Sequence, residues 1–235
     1  MTPQSLMALG PVLLKAPPID PDKDLVPVAS MSVGPLVAVV PRDHPARTID
    51  EIIARSKRKP VNVGNFAVGS GWQLTMSQLI KDTGGDFSVV NYKGTVSMLP
   101  DLYAGNLDMG AGTLAGMGGG LQKGLVRPIL IVAGPRSRLL PGVPTWTDVG
   151  FTGPAYEDLI ESNMLLAPTG TPQSVIDTLA RLATTSVSES QPMKAVRNTL
   201  SADDLPLVGA ELKLAVTRSW TAYRNLARTM KLAAE

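Results

Sequence analysis

Residues 61–81, VNVGNFAVGSGWQLTMSQLIK, join a short apolar run to a glycine-rich loop and then to a helical pattern. Strand, glycine loop and helix in that order are the repeating unit of an α/β fold. Gly64, Gly69 and Gly71 allow the backbone to turn and to approach a ligand, and Ser70 with Gln73 has the S-x-x-Q spacing of a capping box. The first amides of the helix, near Gly71 to Gln73, lack intrahelical partners and lie at the positive end of the helix dipole, so they favour a carboxylate or phosphate. Many capped helix starts meet only water, so these residues alone leave both readings open. Trp72, at the mouth of the helix, fits a ligand wall and a core contact equally.

The neighbouring segments repeat the pattern. Upstream, Met31 to Val40 reads as one buried strand, and Thr48 with Glu51 caps a helix carrying Ile49, Ile52 and Ile53 on one face. Its basic tail, Arg55, Lys57, Arg58 and Lys59, suits the negative end of the dipole and reads as a solvated helix end. Downstream, Phe87 to Val90 is a strand leading into NYKGT, where Thr95 caps a helix to about Tyr103. Leu107 to Ala111 is a further strand before the glycine-dense GTLAGMGGGLQKG, and Pro128 to Ala133 is a buried strand. Ser162 to Ala167 is the next strand, Pro172 opens a helix, and Glu211 to Leu232 is a long helix. The apolar face of that last helix is Leu212, Val216, Trp220, Tyr223, Leu226 and Met230. Alternating strands and helices imply an α/β fold with mostly parallel sheets, in which ligands sit outside the carboxyl ends of strands. Three glycine-bearing junctions meet that description: Gly64 to Gly71, Tyr92 to Thr95, and Gly110 to Thr113.

Composition limits the chemistry. The chain has 235 residues, 44% of them hydrophobic, enough for one large domain or two small ones. A net charge of +2 with 4% aromatic residues gives no electrostatic or stacking case for nucleic acid. Cysteine is absent and His44 is the sole histidine, which argues against a thiol nucleophile, a Ser-His-Asp triad or a zinc site. His44, in PRDHPAR, is expected on an exposed loop. Asp101 with Asp108, or Asp203 with Asp204, are the carboxylate pairs that an acid–base mechanism would need. The loop GNFAVGSG lacks the G-K-[ST] ending of a P-loop and does not match G-x-G-x-x-G. No cofactor is expected. No apolar stretch reaches the roughly 18 residues that span a bilayer, and the N-terminus lacks the basic region of a signal peptide.

The order of these motifs resembles the substrate-binding proteins of tripartite tricarboxylate transporters, the Bug-type periplasmic receptors. PIDPDKDLVPVASM, LVAVVP, TIDEIIARSKRKP, VNVGNFAVGSGWQLTMSQL, NYKGT, GNLDMG, LPGVPTWTDVGF and LLAPTGTP follow in family order and spacing. The resemblance implies a type II periplasmic-binding-protein fold whose two lobes close on a small organic carboxylate, held largely by backbone amides and water. It implies a non-enzymatic, periplasmic receptor that delivers its ligand to the permease subunits of a membrane transporter.

Carried over by position, the ligand residues are Asn65, Gly69, Ser70, Gly71 and Trp72, then Tyr92, Gly94 and Thr95, with Gly112 and Thr113 where the family often has an Asp-Asn pair. Ser162 stands where the family often has a tryptophan. The resemblance divides the chain into residues 1–30, a remnant of the first lobe, residues 31–155, the second lobe, and residues 156–235, the rest of the first lobe. It also implies that the strand and loop ahead of Met1 are missing, that Thr2 to Leu6 are what remains of a third ligand loop, and that the incomplete lobe self-associates. A non-transporting interaction or sensory module is the alternative role.

Overall fold

The structure, a computed structural model, describes residues 2–32, 34–133, 136–200 and 205–230. The pair Asp203 and Asp204 lies outside the described residues. Two compact units make up the chain: Met1–Gly34 with Ile160–Glu235, and Pro35–Leu159.

The first unit begins with β1 (Thr2–Pro3), α1 (Gln4–Leu13), α2 (Pro21–Asp24) and β2 (Leu25–Ser32). The second unit runs through β3 (Leu36–Pro41), α3 (Ile49–Ser56), β4 (Val61–Asn65), α4 (Gly71–Thr83), β5 (Phe87–Asn91) and α5 (Thr95–Ala104). It continues with β6 (Met109–Thr113), α6 (Leu114–Gln122), β7 (Val126–Ala133), a 3-10 turn at Thr147–Val149 and α7 (Pro154–Glu157). The chain then returns to the first unit with β8 (Ser162–Pro168), α8 (Gln173–Glu189), α9 (Gln191–Leu200), β9 (Leu207–Val208) and α10 (Gly209–Thr229).

The strand expected over Met31 to Val40 is two strands. Gly34, at φ 79°, and Pro35 break it, as a Gly-Pro pair does; β2 stays in the first unit while β3 enters the second. The first unit's sheet has the order β1-β8-β2-β9, and every pairing in it is antiparallel. The second unit's sheet has the order β5-β4-β6-β3-β7. Here β4 pairs parallel with β5 and with β6, whereas β3 pairs antiparallel with β6 and β7. The expectation of mostly parallel sheets is thus corrected to one antiparallel and one mixed sheet. Among the named strands, parallel pairing, which needs a long crossover connection, is confined to β4, β5 and β6, joined in sequence by α4 and α5.

Two of the expected helix caps form. Thr48 and Ser70 accept hydrogen bonds from the amides of Glu51 and Gln73, both at 3.2 Å. In each box the returning side chain reaches one residue further back than the simplest scheme, Glu51 to the Arg47 amide at 2.5 Å and Gln73 to the Gly69 amide at 2.7 Å. In the second unit, Val37 and Val39 of β3 pack with Met98, Leu102, Leu107, Leu114, Met117 and Val126 in one buried cluster. A second apolar group stacks Trp72 on Trp146, ring centroids 6.5 Å apart, with Phe151 and Tyr156 beside it.

The first unit is held by α10, which buries Leu212, Val216, Trp220 and Tyr223. Arg224 ties α10 to the start of the chain: Nε donates to the Ala8 carbonyl at 2.9 Å and Nη1 pairs with Asp22 at 2.8 Å. Its guanidinium also lies over the Trp220 ring at 5.2 Å. A buried polar chain crosses the first unit's sheet. Ser30 Oγ donates to Ser162 Oγ at 2.8 Å, and Ser162 Oγ donates to Gln4 Oε1 at 2.6 Å. A hydroxyl with both bonds satisfied therefore occupies the position where the resemblance led one to look for a tryptophan.

Candidate functional site

The three glycine-bearing junctions come together in the second unit. Because β5, β4 and β6 are adjacent and parallel, their carboxyl ends share one edge of the sheet, with Asn65 opposite Asn91 and Gly64 opposite Gly110. From that edge depart α4, α5 and α6, so three helix N-termini lie side by side. Their dipoles make the edge favourable to negative charge.

The three starts differ in how their amides are occupied. On α4, Ser70 is the cap and is only 2% exposed, and its hydroxyl also donates to Asn65 Oδ1 at 2.7 Å. Asn65, fully buried, uses its amide nitrogen on the Ala67 carbonyl at 2.6 Å and on Asn91 Oδ1 at 2.7 Å. Gly69 takes φ 76°, a left-handed conformation that favours glycine, and its amide is held by Gln73. Gly71 opens α4 and is buried. Trp72 is fully buried, with its indole N–H donating to the Gly64 carbonyl at 3.1 Å.

The side chains of Asn65, Ser70 and Trp72 are thus turned to partners within the protein. Their polar atoms are engaged in holding the loop, and burial removes them from solvent. Gly64 has a packing role as well. A Cβ there would meet Met98 Sδ at 2.2 Å and Leu107 Cδ1 at 2.8 Å, so glycine serves packing at this strand position.

On α6, Thr113 caps by accepting from the Gly116 amide at 3.1 Å, and the Leu114 amide donates to the Pro35 carbonyl at 2.8 Å. On α5 the arrangement is more open. The N-cap is Gly94, at φ 109°, without a side-chain cap; Thr95 is the first helical residue and not the cap. Among the described residues, no side chain accepts from the amides of Thr95, Val96 or Ser97, and Val96 is 71% exposed. The Gly94 amide itself donates to the Phe66 carbonyl at 2.8 Å, and that of Tyr92 to the Asn65 carbonyl at 2.8 Å, which fixes this loop to the first one. Gly112 lies beneath it: a Cβ at Gly112 would meet Thr95 Cγ2 and Oγ1, each at 2.4 Å. Of the expected residues, Gly94, Thr95, Gly112 and Thr113 thus form a contiguous group around the least occupied helix start.

Tyr92 is directed elsewhere. Its hydroxyl donates to Asp101 Oδ2 at 2.6 Å, and burial followed by that bond pushes the phenol up to about 12. Asp101 is held below the ordinary carboxylate value by Asn106 and Tyr92. Asp108 has different partners: the Asn62 amide at 2.9 Å, His44 Nε2 at 3.1 Å and Arg55 Nε at 3.2 Å. Burial raises the Asp108 carboxyl, but these three partners outweigh it and the net shift is downward. A general acid needs a raised value; both carboxylates are lowered and each is held by its own partners, in line with the non-catalytic expectation for them.

His44 is corrected as well, since its side chain is 7% exposed and bonded to Asp108. Sequence reading missed this cluster because the partners come from four separate elements, with no spacing signal to connect them. No group of three or more metal-ligating side chains occurs among the described residues. Nor is any helix there long and apolar enough to cross a membrane.

Comparison with known proteins bears on this geometry. The profile described as the tripartite tricarboxylate transporter family receptor matches residues 2–211. The UPF0065 protein in the tcbD-tcbE intergenic region of Pseudomonas sp. (strain P51) is 25% identical over 207 residues, which are 86% of this chain and 61% of that protein. Protein BugT of Bordetella pertussis is 28% identical over 194 residues, 81% of this chain and 57% of that protein. The chain therefore spans less than two thirds of the length of these curated relatives.

Among solved structures, that of R. palustris Rpa4515 with adipate aligns with a TM-score of 0.81 at 22% identity, covering 100% of this chain and 78% of that one. MatC from Rhodopseudomonas palustris with bound malate aligns at 0.68 and 24% identity, covering 94% and 74%. The periplasmic binding protein BugD aligns at 0.79 and 21% identity, covering 99% and 78%. At such identities the likeness speaks to the fold, and it bears out the α/β, periplasmic-binding-protein architecture expected from the sequence.

Proposed function

The chain belongs to the tripartite tricarboxylate transporter receptor family, and from that premise we propose that it is a periplasmic solute receptor for a small organic carboxylate. The family is one of receptors and not of enzymes, in line with the non-catalytic role read from the sequence. The observation that carries the ligand class is the row of three helix N-termini at the carboxyl edge of β5, β4 and β6, with α5 lacking a side-chain cap. A carboxylate placed there would accept from the amides of Thr95 to Ser97, with the Thr113 hydroxyl beside it. Asn65, Ser70 and Trp72 would hold the first loop in shape behind them. Adipate and malate in the structural relatives support a dicarboxylate. Delivery to membrane permease subunits belongs to the same proposal, by family membership.

The test is a thermal-shift titration with adipate, malate, citrate and succinate. A ligand present at about 100 times its Kd should stabilise the protein by about 2.7 kcal/mol, read as a rise in Tm. A flat response to all four acids would overturn carboxylate binding. The substitution Val96→Glu localises the site. It places a fixed carboxylate over the first turn of α5, where it favours the helix dipole but competes with a ligand anion. The expected result is roughly tenfold weaker ligand binding with the ligand-free Tm unchanged or higher.

A second reading, self-association of an interaction module, has one observation in its favour. The apolar face of α8 is incompletely covered, with Val175 44% and Leu182 48% exposed. Light scattering that gives a monomer mass at every concentration would remove it.

A further inference from the structure

The end of β4 opposite the helix starts carries a second feature. Between the loop of residues 42–48 and α3 lies an open groove of about 410 Å³, with Pro45, Ala46 and Ala54 as its apolar lining and Arg55, Arg58 and Lys59 as its cationic one. Glu51, the one carboxylate in the lining, is bonded to the Arg47 amide. Arg55 is bonded to Asp108 at 3.2 Å and is thereby fixed in place. Arg58 and Lys59 are exposed and have no ion-pair partner among the described residues. The helix dipole accounts for Arg55 in the last turn of α3, but its effect falls off within that turn, and Arg58 and Lys59 lie beyond it.

Charge is concentrated here. Residues 42–59 hold six basic and three acidic side chains, while the whole chain has a net charge of only +2. The rest of the protein is therefore close to neutral in net charge, so this segment holds the excess positive charge of the chain and attracts negative charge. A lipid surface calls for a broad basic plane, whereas these cations rim a concave apolar floor.

We propose that the groove docks a short acidic segment of a protein partner, with an apolar side chain on Pro45, Ala46 and Ala54 and carboxylates against Arg58 and Lys59. Because the groove and the ligand edge lie at opposite ends of β4, occupancy of one leaves the other open. Such a contact gains mostly in encounter rate and selectivity from its charges, and it weakens with salt.

The experiment uses the full chain and a fluorescein-labelled peptide of repeating Glu-Leu-Glu, followed by anisotropy at roughly 50 mM salt, where screening is weak. Saturable binding is expected, about tenfold weaker in Arg58→Gln/Lys59→Gln and weaker again in Arg58→Glu/Lys59→Glu. Unchanged melting temperatures would show that both variants fold. A Lys-Leu-Lys peptide should not bind.

The proposal is overturned if the acidic peptide does not bind, or if it binds the variants as well as the parent. It is overturned also if phosphatidylglycerol vesicles bind where the peptide does not, which would assign a lipid surface. Competition by inorganic phosphate at the same concentration as the peptide carboxylates would assign a simple anion site and likewise overturn it. The carboxylate thermal shift is a separate measurement, so failure of the docking proposal and failure of the ligand proposal are distinguishable.

Discussion

A methyl group added at Gly112 would lie 2.4 Å from both Cγ2 and Oγ1 of Thr95 and 2.9 Å from its Cβ. Threonine is stiff about χ1 and cannot swing its branch away at little cost, so the start of α5 must move. Gly112→Ala should cost about 1–3 kcal/mol by overpacking and should also weaken carboxylate binding. Thr95→Ala in the same chain removes the two nearest atoms and should recover part of the stability; chemical denaturation of the single and double variants measures both. Asp108 gives a pH-dependent prediction. Its folded value lies below the ordinary 3.8, so the unfolded chain binds its proton more readily and the contribution to stability is present above 3.8. That contribution is lost as the pH falls through the folded value. Asp108→Asn should therefore lower Tm near neutrality, and the gap to the parent should close towards pH 3. The sequence marked Gly112 as a junction residue and Asp108 as half of a carboxylate pair, but neither the packing of Gly112 on Thr95 nor the distant partners of Asp108 were legible in it.

Helix α4 shows how far local sequence reaches at the scale of an element. The S-x-x-Q spacing foretold the cap, and the cap is formed, as is the left-handed Gly84 that ends the helix at φ 64°. What the spacing could not reveal is that the Ser70 hydroxyl also anchors Asn65. Ser70→Ala should consequently cost about 1–2 kcal/mol, more than a typical exposed cap, since it leaves an Asn65 oxygen without that partner in a buried site. A urea titration measures this. Helix α5 is the converse case. Its sequence pointed to Thr95 as a capping residue, but Gly94 is the cap and Thr95 packs on β6, leaving the first-turn amides without a side-chain acceptor. The absence of a cap, more than its presence, marks the helix start best suited to an anion.

At the scale of the whole molecule, the second unit is continuous in sequence, Pro35–Leu159, whereas the first is assembled from two separated stretches. The second unit has its own five-stranded sheet and its own buried clusters. Expressed alone, Pro35–Leu159 should fold and melt cooperatively, as circular dichroism would record; a featureless or non-cooperative melt would show that it depends on the remaining chain. The helix periods, the caps at Thr48 and Ser70, the α/β class and the three glycine junctions were set by residues near one another in the chain, and local sterics and hydrogen bonding are enough to specify them. Strand direction, the break at Gly34 and Pro35, the burial of Asn65, Ser70 and Trp72, and the joining of His44 to Asp108 were decided only by tertiary structure. These depend on pairings between residues tens of positions apart, and no local pattern records which distant backbone will satisfy a given amide or which side chain will fill the space above a glycine.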